Sequence, residues 1–320
     1  MSVYTPITAA DLGRLWQRYD LPPLSCFTPI ADGIENSNFL LTTAAGPYVL
    51  TLIERLDAAY LPDIVAILGR LKRAGLVVPQ PLADRQGETV QQLAGKPALL
   101  FSHLEGASLT SVTAAHCYQV GEALAQIHLA LATVPSRRDT FLGLPWQVAL
   151  PQLPVGLTPV QRQLLTKEMA QQQPLAIAYA VLPQGILHGD LFRDNALFIH
   201  DNLAALLDFY TVGSGAWIYD LAVAANDWCG GEAGVLLPHL LEALLAGYQT
   251  VRRLTADEWL AWHGQLRAAA LRFYLARLTQ AQSPRQGVLV APRNASHFAA
   301  RLAWLQSEAA WQALARFVHS

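Results

Sequence analysis

The stretch of sequence that decides the fold is residues 188–195, which read HGDLFRDN, together with residues 207–210, which read LDFY. Asn195 follows Asp190 by five positions, and Asp208 follows Asn195 by thirteen. Short apolar runs surround these stretches, at Gly185–Leu187, Ala196–Ile199 and Leu203–Leu207. A polar connection of three residues joins the last two runs, which predicts a β-hairpin. The hairpin would bring Asp208 back beside Asn195, so that three side chains bearing oxygen atoms converge.

This set of side chains suits phosphoryl transfer. Mg²⁺ binds a few carboxylate or amide oxygens and completes its coordination with water and phosphate. Phosphoryl transfer needs metal ligands for the phosphates and a base that orients the attacking hydroxyl. The alternative is a hydrogen-bonded loop without catalysis. It requires that Asp190, Asn195 and Asp208 all stand at these spacings by coincidence. His188 is interpreted as a structural brace of the loop, Asp220 as a helix cap or loop anchor, and His128 as a structural histidine.

The spacing of Asp190 and Asn195 resembles the catalytic loop of protein kinases, and Asp208-Phe209 resembles the start of their metal-binding motif. The motif His-Gly-Asp at residues 188–190 resembles that of the aminoglycoside phosphotransferase-like small-molecule kinases. Within that superfamily the chain resembles the homoserine kinases. Further stretches match as well: Gly33–Phe39, Tyr48–Leu52, Asn226–Cys229 and Leu271–Leu278. The segments Glu-Asn-Ser-Asn at 35–38 and Asn-Asp-Trp-Cys at 226–229 carry the narrower resemblance. The resemblance implies that Asp190 is the catalytic base, that Asn195 and Asp208 hold Mg²⁺, and that ATP is the phosphoryl donor.

The arrangement of predicted elements agrees with a two-lobed, protein-kinase-like α+β fold. A small β-sheet lobe with one helix would occupy residues 1–104, and a larger, mainly helical lobe would occupy residues 105–320. Further strands are predicted at 38–43, 48–53, 89–93 and 97–101. Apolar periodicity predicts helices at 9–19, 62–73, 113–131, 159–180, 217–228, 235–249, 256–280 and 293–317.

The nucleotide would bind to the first lobe. The polar string Glu35, Asn36, Ser37 and Asn38 follows the first strand region, where kinases place a loop over the phosphates; an ordinary polar hairpin is the alternative. Three residues in the stretch 97–104 resemble the strand and hinge that hold adenine through backbone groups: Phe101, His103 and Leu104.

One position departs from the kinase pattern. Kinases carry a lysine on the third strand that binds the α- and β-phosphates, whereas this chain has Thr51 there. The three lysines lie elsewhere, at 72, 96 and 167. Arg55 is a candidate for neutralising the phosphates, and a solvated arginine is the equal alternative.

The resemblance implies an amino-acid acceptor, L-homoserine, whose phosphorylation serves threonine biosynthesis. A carboxylate calls for a guanidinium partner. Arg272 lies on an otherwise apolar helix and is the first candidate, with Arg277 the next; an internal salt bridge is the alternative. Asn226 and Asp227 could accept the ammonium or the hydroxyl, and Tyr210 and Trp228 would line the pocket.

Composition excludes several classes of protein. The chain has 320 residues, of which 52% are hydrophobic and 14% charged, so it can bury a large core and is not intrinsically disordered. Its net charge of −2 offers no basic field for nucleic acid or an anionic membrane. No apolar run reaches the length of a spanning helix, and three isolated cysteines favour a reducing compartment. We therefore expect a cytoplasmic protein without nucleic-acid or membrane partners, and the resemblance implies that its ligands are ATP and a small molecule.

Two alternatives stay open at this point. A sister kinase acting on choline, hydroxylysine or an aminoglycoside would favour an acidic or aromatic pocket. A pseudokinase is suggested by Thr51 in place of lysine, and the intact Asp190, Asn195 and Asp208 argue against it.

Overall fold

A computed structural model of the chain describes residues 4–30, 36–135, 153–282 and 295–318. Two compact units divide these residues, one ending at Glu105 and a larger one beginning at Gly106. The first unit contains an antiparallel sheet and the second is mainly helical, so the predicted α+β fold class is confirmed. No helix in the described part of the chain is long and apolar enough to cross a membrane.

The first unit is built on a five-stranded antiparallel sheet with the strand order β1-β2-β3-β5-β4. Its elements in chain order are α1 (Ala9–Trp16), β1 (Leu24–Pro29), β2 (Ser37–Thr43), β3 (Gly46–Leu52), α2 (Leu61–Arg73), β4 (Val90–Leu93) and β5 (Lys96–Ser102). Strand side chains alternate between the two faces of a sheet. One face therefore carries the apolar side chains that pack against α1: Phe39, Leu41, Leu50 and Leu52.

The two hairpins of this sheet are tighter than predicted. The loop between β2 and β3 is Ala44-Ala45, two residues rather than four. The loop between β4 and β5 is Ala94-Gly95, both with positive φ (50° and 76°), two residues where the predicted strands leave the gap 94–96. Two-residue loops with positive φ match the right-handed twist of the strands they join.

The second unit surrounds two short antiparallel ribbons with helices. Its elements are α3 (Ala114–Leu131), α4 (Pro159–Tyr179), β6 (Gln184–Leu187), β7 (Ala196–Ile199), β8 (Asn202–Leu206), β9 (Gly213–Ala216), α5 (Trp217–Trp228), α6 (Pro238–Val251), α7 (Ala256–Gln282), α8 (Ser296–Leu305) and α9 (Glu308–Val318). Strand β6 pairs with β9, and β7 pairs with β8 as the predicted hairpin.

Two glycines allow α3 and α6 to approach closely. A Cβ atom added at Gly121 would collide with the carbonyl oxygen of Leu244, and one at Gly247 would collide with that of Tyr118. Each helix therefore contributes a glycine where the backbone of the other passes.

Two features of this unit differ from the sequence prediction. The single helix predicted over 293–317 is wrong, because the chain forms α8 and α9 with a break at Gln306-Ser307. The hydroxyl of Ser307 accepts a hydrogen bond from the N–H of Ala310 (3.2 Å), so it caps the second helix. Strand β9 was not predicted; its sequence, GSGA, has no apolar alternation.

Candidate active site

The loop after β6 brings Asp190 and Asn195 together. Asn195 lies in a short 3-10 turn, Arg193–Asn195, and its Nδ2 donates to the carbonyl oxygen of Asp190 (2.7 Å). The same nitrogen is 3.4 Å from Oδ2 of Asp190. Gly189 has a φ of +79°, a conformation that favours glycine. The loop thus closes on itself and fixes the position of the Asp190 carboxylate.

The β7–β8 hairpin returns the chain to Asn195, as predicted. The N–H of Leu207 donates to the carbonyl oxygen of Asn195 (2.8 Å), and Asp208 is the next residue. Asp208 has left-handed backbone angles (φ 60°, ψ 66°), which are uncommon outside glycine and cluster at functional sites. Asp208 therefore occupies a strained position immediately beside the loop that carries Asp190.

Asp220 anchors this loop from the first turn of α5. Its fully buried carboxylate accepts hydrogen bonds from the N–H groups of His188 (2.7 Å) and Gly189 (2.8 Å). Burial alone would raise the pKa of Asp220, but the hydrogen bonds it accepts from His128 and from the loop outweigh burial and lower it. The predicted role of Asp220 as a loop anchor is confirmed by these contacts.

A buried chain of hydrogen bonds extends from Asp220 to α6 and α7. Nε2 of His128 donates to Asp220 (3.0 Å), and the hydroxyl of Tyr248 donates to Nδ1 of His128 (2.8 Å). Arg252 donates to the Tyr248 hydroxyl (3.2 Å) and forms an ion pair with Glu258 (2.8 Å). Burial lowers the pKa of His128, so its ring is neutral, with one donor and one acceptor nitrogen. His128 is the structural histidine that was predicted.

His188 joins the two strand ends of the site. Its Nε2 donates to the carbonyl oxygen of Leu207 (2.9 Å), and its Nδ1 accepts the N–H of Asp190 (3.3 Å). The ring is fully buried, and burial lowers its pKa. Both nitrogens are therefore used within the fold, which confirms the interpretation of His188 as a brace.

The side chains around Asp190 have the chemistry that Mg²⁺ requires. Because Nδ2 of Asn195 is bonded to Asp190, its amide oxygen is the atom that remains for a cation. Asp208 supplies a carboxylate, and the N–H of the residue before it is bonded to the backbone of Asn195. The described residues contain no group of three His, Cys, Asp or Glu side chains that would form a protein-only metal cage. Mg²⁺ needs no such cage, since it keeps water and phosphate as ligands.

A cavity of about 410 Å³ within the second unit is lined in part by the loop after Asp190. Its lining residues are Leu109, Thr110, Phe192, Arg193, Asp194, Asp227, Arg277, His297 and Phe298. Asp227 accepts hydrogen bonds from the N–H (2.8 Å) and Nε (3.2 Å) of Arg193, which tie the end of α5 to the loop. Arg277 is only 7% exposed. The cavity thus carries guanidinium groups and carboxylates, the partners of a zwitterion.

The predicted substrate residues lie in different surroundings. Asp227 lines the cavity. Asn226 is fully buried, where its Nδ2 donates to the carbonyl oxygens of Ala222 and Leu266 and joins α5 to α7. Arg272 donates from Nη1 to the carbonyl oxygen of Gly189 (2.9 Å).

Two aromatic residues were also predicted at the substrate pocket. Tyr210 lies in the 3-10 turn Phe209–Thr211, directly after Asp208. Trp228 is buried, and its Nε1 donates to the carbonyl oxygen of Leu191 (2.9 Å), the residue after Asp190.

The polar string of the first unit is partly used by the sheet. Ser37 is fully buried, and its hydroxyl donates to Oε1 of Glu54 (2.6 Å). Oδ1 of Asn36 accepts the N–H of Glu54 (3.2 Å). Oδ1 of Asn38 accepts the hydroxyl of Thr51 (2.7 Å). Asn38 itself is half-buried.

The residues predicted to hold adenine lie at the end of β5 or directly after it. Phe101 is a buried residue of β5, and His103 and Leu104 come directly after that strand. The N–H of His103 donates to the carbonyl oxygen of Pro47 (3.3 Å). Glu35 lies outside the described residues.

Several residues that line the cavity were not predicted from the sequence. Arg193 and Asp194 lie between Asp190 and Asn195, and this position is a signal that could have identified them. Thr110 and His297 carry no such signal, because long stretches of chain separate them from the loop.

Comparisons with known proteins decide the family. The model of the phosphotransferase enzyme family matches residues 27–263. A homoserine kinase of Janthinobacterium sp. (strain Marseille) is 40% identical over 302 residues, which cover 93% of this chain and 94% of that protein. A homoserine kinase of Burkholderia mallei (strain SAVP1) is 42% identical over 310 residues, with the same coverage. The chain belongs to the phosphotransferase enzyme family.

Solved structures agree with the fold of this phosphotransferase. A microcompartment-associated aminopropanol kinase superposes with a TM-score of 0.74 at 18% identity, covering 96% of this chain and 99% of the other. The amicoumacin kinase hAmiN superposes with a TM-score of 0.70 at 17% identity, covering 92% and 90%. The phosphotransferase therefore shares its fold with small-molecule kinases.

Proposed function

We propose that this phosphotransferase transfers the γ-phosphoryl group of ATP to the side-chain hydroxyl of L-homoserine, giving O-phospho-L-homoserine and ADP. The observation that carries the proposal is the 40–42% identity to homoserine kinases over 93% of the chain. The product is the intermediate required for threonine biosynthesis. The cytoplasmic location expected from the sequence stays a prediction.

Asp190 is the base of the proposed reaction. Asn195 holds the backbone and carboxylate of Asp190 in place through its Nδ2. The carboxylate accepts the proton of the homoserine hydroxyl as the hydroxyl oxygen bonds to the γ-phosphorus. The bond from that phosphorus to the β,γ-bridging oxygen breaks at the same time, and ADP leaves. Positioning of this kind accounts for most of the catalysis of phosphoryl transfer.

Asn195 and Asp208 are the residues that would hold Mg²⁺. Their amide and carboxylate oxygens are hard ligands of the type this cation prefers. The cation would neutralise charge on the β- and γ-phosphates. The left-handed backbone at Asp208 turns the chain sharply after β8, and Asp tolerates this conformation better than most residues.

The cavity beside the catalytic loop is the proposed homoserine site. Arg277 lines it and is buried, so a substrate carboxylate there would meet a guanidinium largely shielded from water. Asp227 and Asp194 would receive the ammonium group. Arg272 instead contacts the carbonyl of Gly189, which favours a role in holding the loop. Arg277 is therefore preferred over Arg272 as the carboxylate partner.

Lysine substitution at the two arginines tests the function and the pocket together. Arg277→Lys should raise the KM for homoserine about 10- to 150-fold, the equivalent of the ~1.5–3 kcal/mol of a charge-assisted hydrogen bond. The KM for homoserinol, which lacks the carboxylate, should change little. Arg272→Lys is the matched control and should lower kcat alike for both substrates. An ADP-release assay over homoserine, homoserinol, choline and ethanolamine supplies these values.

Each outcome of the assay has a separate meaning. If only Arg272→Lys raises the KM for homoserine and not that for homoserinol, Arg272 rather than Arg277 binds the substrate carboxylate. If Arg277→Lys raises the KM for homoserine and homoserinol equally, the substrate carboxylate does not bind in this cavity. A wild-type enzyme that phosphorylates choline or ethanolamine but not homoserine would refute the proposed function.

A further inference from the structure

Thr51 and Asn38 form a polar pair in the centre of the first unit. They lie directly opposite each other in the register of β2 and β3. The hydroxyl of Thr51, which is 4% exposed, donates to Oδ1 of Asn38 at 2.7 Å. The backbone of Asn38 is also held, since its carbonyl oxygen accepts the N–H of Ile30 (2.9 Å). The conformation of Asn38 is thus fixed at both the main chain and the amide.

The hydrogen bond from Thr51 decides which end of the Asn38 amide is available. Because Oδ1 is taken, the group that Asn38 presents is its Nδ2, with two hydrogens to donate. Asn38 is half-buried and Thr51 is buried, so Asn38 is the more exposed member of the pair. A fixed donor on a half-buried residue suits an oxyanion such as a phosphate.

The pair shares a face of the sheet with the strand predicted to hold adenine. Thr51 lies opposite Leu99 of β5, and Phe101 is two residues further along the same strand. Residues two apart in a strand point to the same side. Asn38, Thr51 and Phe101 therefore lie on one face, and Phe39 and Leu50 occupy the other, which packs against α1.

The lysine of this sheet is already neutralised. Nζ of Lys96 is 3.1 Å from Oε2 of Glu54 and 3.2 Å from its carbonyl oxygen. Burial would raise the pKa of Glu54, but hydrogen bonds from Ser37, Thr5 and Lys96 outweigh burial and lower it. Glu54 is therefore ionised, and its charge balances that of Lys96.

We propose that Asn38 donates from Nδ2 to a phosphate of the bound nucleotide, and that Thr51 is a positioning residue that holds this amide. The pair takes the place of the third-strand lysine of kinases with a neutral donor. This inference rests on the proposed function for the identity of the nucleotide, ATP.

Four variants test the pair. Thr51→Val removes the hydroxyl and keeps the shape, so the Asn38 amide is free to turn. Thr51→Ser restores the hydroxyl. Asn38→Asp keeps an acceptor for Thr51 but replaces the Nδ2 donor with a carboxylate oxygen. Thr43→Val is the matched control: Thr43 is a buried threonine of the same sheet whose hydroxyl donates to Gly46 (2.9 Å).

The expected effects fall on nucleotides that carry phosphates. Thr51→Val should weaken ADP binding and raise the KM for ATP about 5- to 10-fold, the loss of one net hydrogen bond. Asn38→Asp should weaken ADP binding about 100-fold or more, because a carboxylate then faces the phosphates. Thr51→Ser and Thr43→Val should bind ADP like the wild type. Adenosine affinity and the KM for homoserine should change little in all four.

Calorimetric titration with ADP and with adenosine, in the absence of homoserine, gives the deciding values. The proposal is overturned if Asn38→Asp binds ADP as the wild type does, or if Thr51→Val weakens adenosine as much as ADP. Should Thr51→Val fail to fold, Asn38→Asp alone decides, since Asn38 is half-buried and keeps its bond to Thr51. A wild-type protein that binds ADP but does not phosphorylate homoserine would refute the proposed acceptor and leave this test intact.

Discussion

At the scale of single residues, Asp190 is the side chain that we propose as the base of the reaction. Its carboxylate lies in a loop closed by Asn195 and anchored by Asp220. Asp190→Asn keeps the size of the side chain but removes its ability to accept a proton. We expect kcat to fall about 10²- to 10⁴-fold, the usual contribution of a general base, with a further loss from altered positioning.

Binding measurements separate this effect from misfolding. ADP affinity and melting temperature in Asp190→Asn should stay close to those of the wild type, because Asn can accept the same loop contacts. The coupled ADP-release assay gives kcat. A variant that phosphorylates homoserine at nearly the wild-type rate would show that Asp190 is not the base.

The spacing of residues predicted the return of the chain from Asn195 to Asp208 better than it predicted the contacts of the substrate candidates. Asp190, Asn195 and Asp208 are separated by short stretches whose strand and turn signals determine how the chain returns. The bond between Arg193 and Asp227 joins positions 34 residues apart through a helix end, and no local pattern encodes it. The bond between Thr51 and Asn38 depends on the register of the β2–β3 hairpin. A prediction that is wrong by one residue would place each side chain on the opposite face of the sheet.

At the scale of elements, apolar periodicity located most helices and strands but not their interruptions. The predicted bounds of α5 and β7 agree with the structure. Strand β9 consists of small residues that pair with β6, so its partner rather than its own sequence makes it a strand. The break between α8 and α9 depends on a single serine cap within an otherwise continuous helical pattern.

The contact between α3 and α6 gives a prediction at this scale. Gly247→Ala places a methyl group against the carbonyl of Tyr118, so the helices must separate. We expect a loss of about 2–4 kcal/mol in the free energy of unfolding, as for severe overpacking. Gly13→Ala in α1 is the matched control, because its Cβ would meet no atom within 4 Å. It should be neutral or stabilise by up to about 1 kcal/mol.

Urea unfolding of both variants measures the difference. Equal stabilities of Gly247→Ala and Gly13→Ala would contradict the close helix approach. Because α6 supplies Tyr248 to the hydrogen-bond chain that reaches Asp220, Gly247→Ala should also lower kcat.

At the scale of the whole molecule, buried histidines link stability to pH. Burial lowers the pKa of both His128 and His188 below the ordinary value of about 6.5. In the unfolded chain these rings take up protons as the pH falls below about 6.5, whereas in the native state the buried rings resist protonation in this range. The free energy of unfolding should therefore decrease as the pH falls through this range, by up to about 1.4 kcal/mol per pH unit for each histidine.

The contribution of Asp220 to stability changes in a lower pH range and does not obscure the effect of the histidines. Its pKa is lowered in the native state, so its contribution is present above its ordinary value near 4 and is lost only as the pH falls below that. Urea unfolding at pH 7.5, 6.5 and 5.5, at constant ionic strength, should give a falling midpoint with an unchanged m value. His188→Asn removes one titrating ring and should reduce the slope, even if it is less stable at pH 7.5. A midpoint that stays constant from pH 7.5 to 5.5 would mean that these histidines are protonated in the native state, and the neutral ring assigned to His128 would be wrong.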